Sequence, residues 1–304
     1  REAAFGLAEG LSKNLSCLKS ILDTDLPEQV VPVSATLAQA IDIFDRVNSQ
    51  GTSLTEAELA LTHVTGRWPV ARRVIKEKMD DLSSKGFTFS LNLMVRALTV
   101  SVTGGALYKK IHGAERGALE KGWLELVKVL DYLVTILPQK AYIHSADDLA
   151  TTNALIPLVS YLRRKGGVFP NGRELSAAIY WLYAALMRSR YGSQVDSRLE
   201  SDVSIIVRET SPWTTLDGVI NDQRGKIEVV PGEFEGRYPR HPLYKTFYTV
   251  AKANGAIDWM NGTPLGSTHG QHYSIHSHHV FPQSLLYKHG FEKDNKMHKN
   301  TVNE

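Results

Sequence analysis

Apolar residues recur at every third or fourth position through most of the chain, which is the spacing of helices that bury one face. The first stripe consists of Leu7, Leu11, Leu15, Leu18 and Leu22. The same spacing predicts further helices at 36–48, from Thr55 onward, and at 69–83, 91–102, 118–137, 146–164, 172–190 and 197–208. The first 210 residues are therefore expected to be almost entirely helical.

The predicted helices are delimited by residues that cap or interrupt helices. Thr55-Glu56-Ala57-Glu58 fits a capping box, in which the Thr55 hydroxyl and the Glu58 carboxylate each accept a bond from a free backbone N–H. Glycine pairs at 104–105 and 166–167 mark breaks between helices. The β-branched residues at 30–33 predict a short extended piece, and Pro32 favours an edge or a strand end.

The pattern changes after Ser211, where Trp, Gly and Pro punctuate short β-leaning pieces at 227–230 and 273–281. One helical stretch is predicted within this region, near 244–254. We therefore predict a helical domain over 1–210, a linker or boundary over 211–234, and a second, β-containing domain over 235–304.

Composition indicates the general class of protein but does not indicate a binding partner. The 304 residues are 42% hydrophobic, which is enough for a large core, and no apolar run approaches the roughly 20 residues that span a membrane. A soluble protein is expected. The net charge is only +3, so any nucleic-acid site must be a local feature. Cys17 is the single cysteine, which excludes an internal disulfide and favours a reducing cytoplasm.

Histidine is concentrated near the end of the chain. Seven of the eleven histidines fall in the last 36 residues, namely His269, His272, His276, His278, His279, His289 and His298. Imidazole accepts a proton near neutral pH and binds divalent cations through nitrogen, so the cluster indicates a metal-assisted acid/base site. Two alternatives stay open: a loop of solvated histidines, and a structural zinc site with four tetrahedral ligands.

Two short motifs carry a family resemblance. His278-His279-Val280-Phe281-Pro282-Gln283-Ser284 resembles the first motif of HNH (His-Me finger) nucleases, in the subgroup that reads His-His-Ile-Phe-Pro-Lys-Ser. Upstream, Phe44-Asp45-Arg46-Val47-Asn48-Ser49-Gln50-Gly51-Thr52-Ser53-Leu54 is similar to the Phe-x-Arg-Val-Asn-x-x-Gly-Thr-x-Leu segment of GmrSD-type restriction proteins. Both motifs in this order resemble that one family.

The resemblance implies a ParB/sulfiredoxin-like nucleotide-hydrolysing domain, a helical middle and a C-terminal HNH nuclease, of which this chain would be a piece. The implied fold is mainly α, a multi-helical domain followed by a small α+β ββα-metal module that is truncated at its C-terminal end. The nucleotide motif Asp-Gly-Gln-Gln-Arg is absent, so nucleotide hydrolysis is assigned to no residue. Arg46 and Asn48 are expected to serve fold architecture, against the N-terminal domain that the family carries.

The resemblance also assigns roles within the motif. His279 would be the general base that activates water, and His278 would bind a divalent metal ion, Mg²⁺ or Mn²⁺. Asn300 and Asn303 lie in the neighbourhood of the asparagine that orients the base, and we take Asn303 as the candidate, although Asn303-Glu304 also resembles the start of a longer Asn-x-Ile-Ala-Asn stretch. The last metal ligand would lie beyond residue 304.

The expected function is therefore a DNA endonuclease of a bacterial restriction or anti-phage system, with DNA and no membrane as partner. The alternative is a non-catalytic helical interaction or regulatory module with a degenerate or truncated nuclease tail. Basic stretches at 163–165 and 188–191 fit either a surface that follows phosphates or the cationic ends of helices. The oligomeric state is left open.

Overall fold

The structure, a computed structural model, describes residues 2–25, 28, 30–49, 54–225, 228–234, 237, 241–258, 262–265 and 281–292. Over these residues the chain forms twelve α-helices and no β-strand. The expectation of a mainly α fold is confirmed. The expectation of a small α+β ββα-metal module over 235–304 is wrong for the part of the chain that the structure describes.

Two compact units divide the chain, Arg1–Gln50 and Gly51–Glu304. The first contains α1 (Glu2–Leu22) and α2 (Leu37–Ser49). The second contains α3 (Glu56–Arg67), α4 (Ala71–Ser84), α5 (Leu91–Thr103), α6 (Arg116–Ala141), α7 (Leu155–Arg164), α8 (Gly172–Met187), α9 (Val195–Arg208), α10 (Trp213–Arg224), α11 (Pro242–Ala253) and α12 (Gln283–Lys288). Short 3-10 helices lie at Tyr108–Ile111, Ala146–Asp148, Thr152–Ala154 and Pro231–Phe234.

Local capping explains where several helices begin and end. The predicted capping box is present at α3: Thr55 Oγ1 accepts from the Glu58 N–H at 3.3 Å, and Glu58 Oε2 accepts from the Thr55 N–H at 2.8 Å. At α8 the Asn171 side chain alone caps the helix, by accepting a bond from the Glu174 N–H at 2.9 Å. Gly104 ends α5 with φ of 72°, a conformation that suits glycine.

The core of the second unit surrounds α5 and α7. Both helices are buried on nearly every side, α5 from Leu93 through Ser101 and α7 from Leu155 through Leu162, so they lie inside the bundle rather than on its surface. Gly122 on α6 lets that helix approach α5 closely, because a Cβ at this position would lie 2.6 Å from Val102 Cγ2.

Helix α10 lies within the region that the sequence marks as a linker. Its Trp213 packs against Tyr161 and Trp181, with ring centroids 4.9 and 5.6 Å away. Leu216 and Ile220 continue the same buried face at helical spacing. Residues 213–224 therefore join the bundle, on α8 and α9.

The β-leaning pieces lack the neighbours that a strand requires. Val30 and Val33 are highly exposed and form no ladder. The described part of the second piece, 228–230, is irregular and leads into the 3-10 helix at Pro231–Phe234. An antiparallel bridge joins Ile257 and Pro264. Because β-preference reflects packing between paired strands, these residues stay irregular where no partner strand is offered. The predicted piece at 273–281 lies outside the described residues except for Phe281.

A buried ion pair closes the turn between α8 and α9. Arg190 donates through Nε and Nη2 to the two carboxylate oxygens of Asp202, at 3.0 and 2.6 Å, with side chains that are 2% and 0% exposed. Burial disfavours the charged guanidinium and by itself lowers the pKa of Arg190. The hydrogen bonds to Asp202 and its negative charge outweigh burial, so the pKa of Arg190 lies above the usual value. Tyr191 also donates to Asp202, at 2.5 Å. The carboxylate is thus saturated by three donors in the interior.

None of the helices in the described ranges combines the length and the apolar composition that a membrane crossing requires.

We expect Asp202→Asn to lower the free energy of unfolding by about 3 kcal/mol, because Arg190 would keep its charge in the interior without a counter-charge. Urea unfolding measures the change. The exposed Asp80→Asn on α4 is the matched control and should change stability by less than about 0.5 kcal/mol. A loss below about 1 kcal/mol for Asp202→Asn would contradict the prediction.

Candidate functional site

The three predicted site residues, His278, His279 and Asn303, lie outside the described residues. Phe281 and Pro282, the next residues of the motif that are described, follow His279 by two and three positions. Helix α12 begins at Gln283, and Gly290 follows it with φ of 89°. The helix and glycine stop predicted after the motif are therefore confirmed, whereas the roles of His278, His279 and Asn303 stay predictions.

A short reversal of the chain lies upstream of the histidine-rich segment. The Asp258 N–H donates to the Thr263 carbonyl and the Leu265 N–H to the Ala256 carbonyl, each at 2.8 Å. Together with the bridge between Ile257 and Pro264, these bonds turn the chain back within ten residues. The described parts on either side of the segment are thus a tight reversal and a six-residue helix.

Helix α11, which precedes this reversal, is fixed to the helical scaffold by two lysines. Lys252 Nζ lies 2.8 Å from Asp148 Oδ1, with side chains that are 0% and 6% exposed. Lys245 Nζ donates to the carbonyls of Asp147 and Leu149, at 2.6 and 3.0 Å. These contacts span about a hundred residues of sequence, so they tie α11 to the chain at 147–149.

Sequence reasoning missed these lysines and also the role of His241. His241 Nδ1 accepts from the Leu243 N–H at 3.3 Å and so caps α11. Burial lowers the pKa of this imidazole, and the charge of Arg237 lowers it further. The available signal was His-Pro before an apolar helical stripe, because proline is common in the first helical turn.

A second histidine pair lies elsewhere in the bundle. His63 on α3 and His112 after the first 3-10 helix stack with ring centroids 3.9 Å apart and planes 14° apart. Burial lowers the pKa of both imidazoles. Parallel rings hold their in-plane nitrogen lone pairs side by side rather than converging, so this pair is not arranged to share one cation.

Metal-ligand clusters are absent from the part of the chain that the structure describes: no group of three or more His, Cys, Asp or Glu side chains there is arranged to hold an ion. Cys17, the single cysteine, is exposed on α1.

The basic stretches serve helix ends and ion pairs. Arg163 Nε lies 3.2 Å from Glu125, and Arg164 donates to the carbonyls of Ile206 and Glu209 near the end of α9. Arg188 pairs with Glu233 at 2.8 Å. Of the two interpretations open from the sequence, the structural one accounts for these contacts.

The upstream motif, as far as Ser49, belongs to α2, and the architectural role expected for it stays a prediction. Arg46 Nη2 lies 2.9 Å from Asp42 Oδ2 one turn earlier on α2, and both side chains are exposed. Ile41 of the same helix is buried. Residues 50–53 of the motif lie outside the described residues.

The chain matches no protein-family model, and no curated protein matches it.

We expect Lys252→Met to speed hydrogen exchange across 242–253, because Asp148 would be left buried without its counter-charge. Adding Asp148→Asn should restore part of the protection, since the pair would then be neutral and the asparagine oxygen still accepts a hydrogen bond. Exchange measured by mass spectrometry reports on each peptide.

The matched control for this experiment is Lys140→Met, which removes an exposed lysine near the end of α6. It should leave the exchange of 242–253 unchanged. Equal exchange in Lys252→Met and the unmodified protein would show that the ion pair does not fix α11.

Proposed function

We propose that the chain belongs to a DNA endonuclease of a bacterial restriction or anti-phage system that acts in the cytoplasm. The observation that carries the proposal is the sequence His278-His279-Val280-Phe281-Pro282 directly before α12. A bare histidine pair is a weak signal. The pair gains weight from the proline and helix that follow it and from the second motif at 44–54.

The proposed chemistry needs few groups. His279 takes a proton from the water that attacks the phosphodiester; an unperturbed imidazole, with a pKa of about 6.5, is mostly neutral at pH 7 or above and able to do this. Asn303 orients the imidazole of His279. His278 binds a divalent cation, Mg²⁺ or Mn²⁺, and the imidazole nitrogen suits Mn²⁺ better. The bound cation supplies positive charge against the phosphate and the leaving oxygen.

Buried contacts of the described helices before and after the histidine-rich segment support this proposal. Groups that perform acid/base chemistry must be held within a fraction of an ångström, and side chains held by buried contacts provide such support. Lys245 and Lys252 fix α11 upstream of the histidine-rich segment. Downstream, Leu286 of α12 is buried.

We expect His279→Ala to reduce metal-dependent cleavage of plasmid DNA by about 10²-fold to 10⁴-fold, the range for losing a general base. DNA binding should stay close to normal, because the change removes one proton acceptor and no cation. His276→Ala is the matched control, since the motif gives His276 no direct role. Full cleavage activity in the His279→Ala variant would contradict the proposed HNH nuclease activity.

We expect His278→Ala to respond differently to metal. Loss of a ligand weakens metal occupancy without removing the base, so excess Mn²⁺ should restore part of the activity. No such rescue is expected for His279→Ala. Equal, mild effects in both variants would identify a solvated loop, and no cleavage by the unmodified protein would favour the non-catalytic interaction module.

A further inference from the structure

Two imidazole rings lie against each other where α3 meets the 3-10 helix at Tyr108–Ile111. His63 of α3 and His112, which follows that 3-10 helix, stack with ring centroids 3.9 Å apart, and both residues are half-buried. Both lie in the second unit, far in sequence from the histidine-rich segment. Imidazole is the side chain whose charge ordinarily changes close to neutral pH, so a contact between two of them is a candidate for control by protons.

The surroundings of His112 favour its uncharged form. Its Nε2 atom is enclosed and has no hydrogen-bond partner among the described residues. A neutral imidazole can keep this nitrogen as a bare acceptor, whereas the imidazolium carries an N–H on both nitrogens and needs an acceptor for each. Protonation of His112 would therefore bury a charged donor without a partner, which is more costly than burying a neutral acceptor.

The stacking distance also opposes protonation of both rings at once. With centroids 3.9 Å apart, a doubly protonated pair would place two like charges as close together as the partners of an ion pair. Burial lowers the pKa of both imidazoles, and the nearby His112 and Arg67 lower the pKa of His63 further. Both rings are therefore largely neutral at pH 7, and the stacked arrangement belongs to that neutral state.

Charged groups on the elements around the stacked pair are mostly engaged with one another. The ion pairs are Arg67 with Glu115, Arg73 of α4 with Glu77, Lys110 with Glu200, and Arg96 of α5 with Asp196. Lys109 and Arg72 add exposed positive charge. Glu56 raises the pKa of His112, but burial has the larger effect. Over the described ranges, no carboxylate that would stabilise an imidazolium is hydrogen-bonded to either ring.

We propose that the stacked pair is a proton-sensitive clasp between α3 and the 3-10 helix, closed while both imidazoles are neutral and opened by protonation. The stability contributed by the neutral contact is complete above about pH 6.5, the ordinary pKa of imidazole, and is lost as the pH falls through the lowered values. Because α3 is the first helix of the second unit, opening would loosen the bundle where that unit begins. The inference does not depend on the proposed nuclease activity.

Hydrogen exchange of the unmodified protein, corrected for the intrinsic effect of pH on exchange, measures the opening of 56–67. Protection of this helix should fall about tenfold between about pH 7.5 and pH 5.5, because each proton taken up on opening changes the opening constant by up to tenfold per pH unit. Protection of α8, which lies elsewhere in the bundle, should fall less. Buried Ala60, Leu61 and Val64 also hold α3, so the expected response is local.

His112→Phe is the test variant, because phenylalanine keeps a flat ring against His63 but carries no charge and no enclosed nitrogen. Its protection over 56–67 should change by less than about threefold across the same pH range, since at most one weakly coupled proton remains. His289→Phe is the matched control, because it makes the same substitution at an exposed histidine after α12. This control should keep the tenfold response of the unmodified protein.

A titration of the two imidazoles by NMR in the unmodified protein decides the question even if His112→Phe does not fold. Both rings should take up their protons below pH 6.5, in coupled steps. Three results would overturn the proposal: an equal acid response in the unmodified protein and His112→Phe, titration of both rings at the ordinary pKa, or a loss of protection that is as large in α8 as in α3.

Discussion

The buried pair of Arg190 and Asp202 is the constraint on which much of the second unit depends. Taking two charges out of water costs several kcal/mol each, and only close, fully bonded geometry offsets that cost. The carboxylate receives two bonds from Arg190 and one from Tyr191. The turn after α8, the second turn of α9 and, through Gln223, the end of α10 must all adopt positions that preserve these bonds.

Local sequence signals predicted the helices well because capping and hydrophobic spacing act over a few residues. Thr55 with Glu58, and Gly104, mark real helix ends. Helix α10 escaped prediction because Gly218 and two threonines weaken a stripe whose apolar members are only Trp213, Leu216 and Ile220. What identifies it as a helix is the aromatic packing of Trp213 on Tyr161 and Trp181, which is a tertiary contact.

The candidate functional site, like the helices, could be predicted from the sequence only in part. The motif before α12 could be recognised from the sequence, as could the helix and its glycine stop. The prediction of a ββα module was wrong for the described residues because it was taken from the fold of the family that the motif resembles. A strand forms only beside a partner strand, and the described residues provide none. Arg190 shows the limit most clearly: in sequence it reads as a surface cation, and in the structure it is interior.

The pair of Lys252 and Asp148 has an evolutionary consequence. Either residue alone would leave a single charge buried, since both side chains are almost fully enclosed, whereas exchanging both for neutral groups is often tolerated. Selection should therefore retain the two positions together or replace them together. Across related chains, positions 148 and 252 are expected to covary despite their separation of 104 residues in sequence, and such covariation would trace how long α11 has been attached to the bundle.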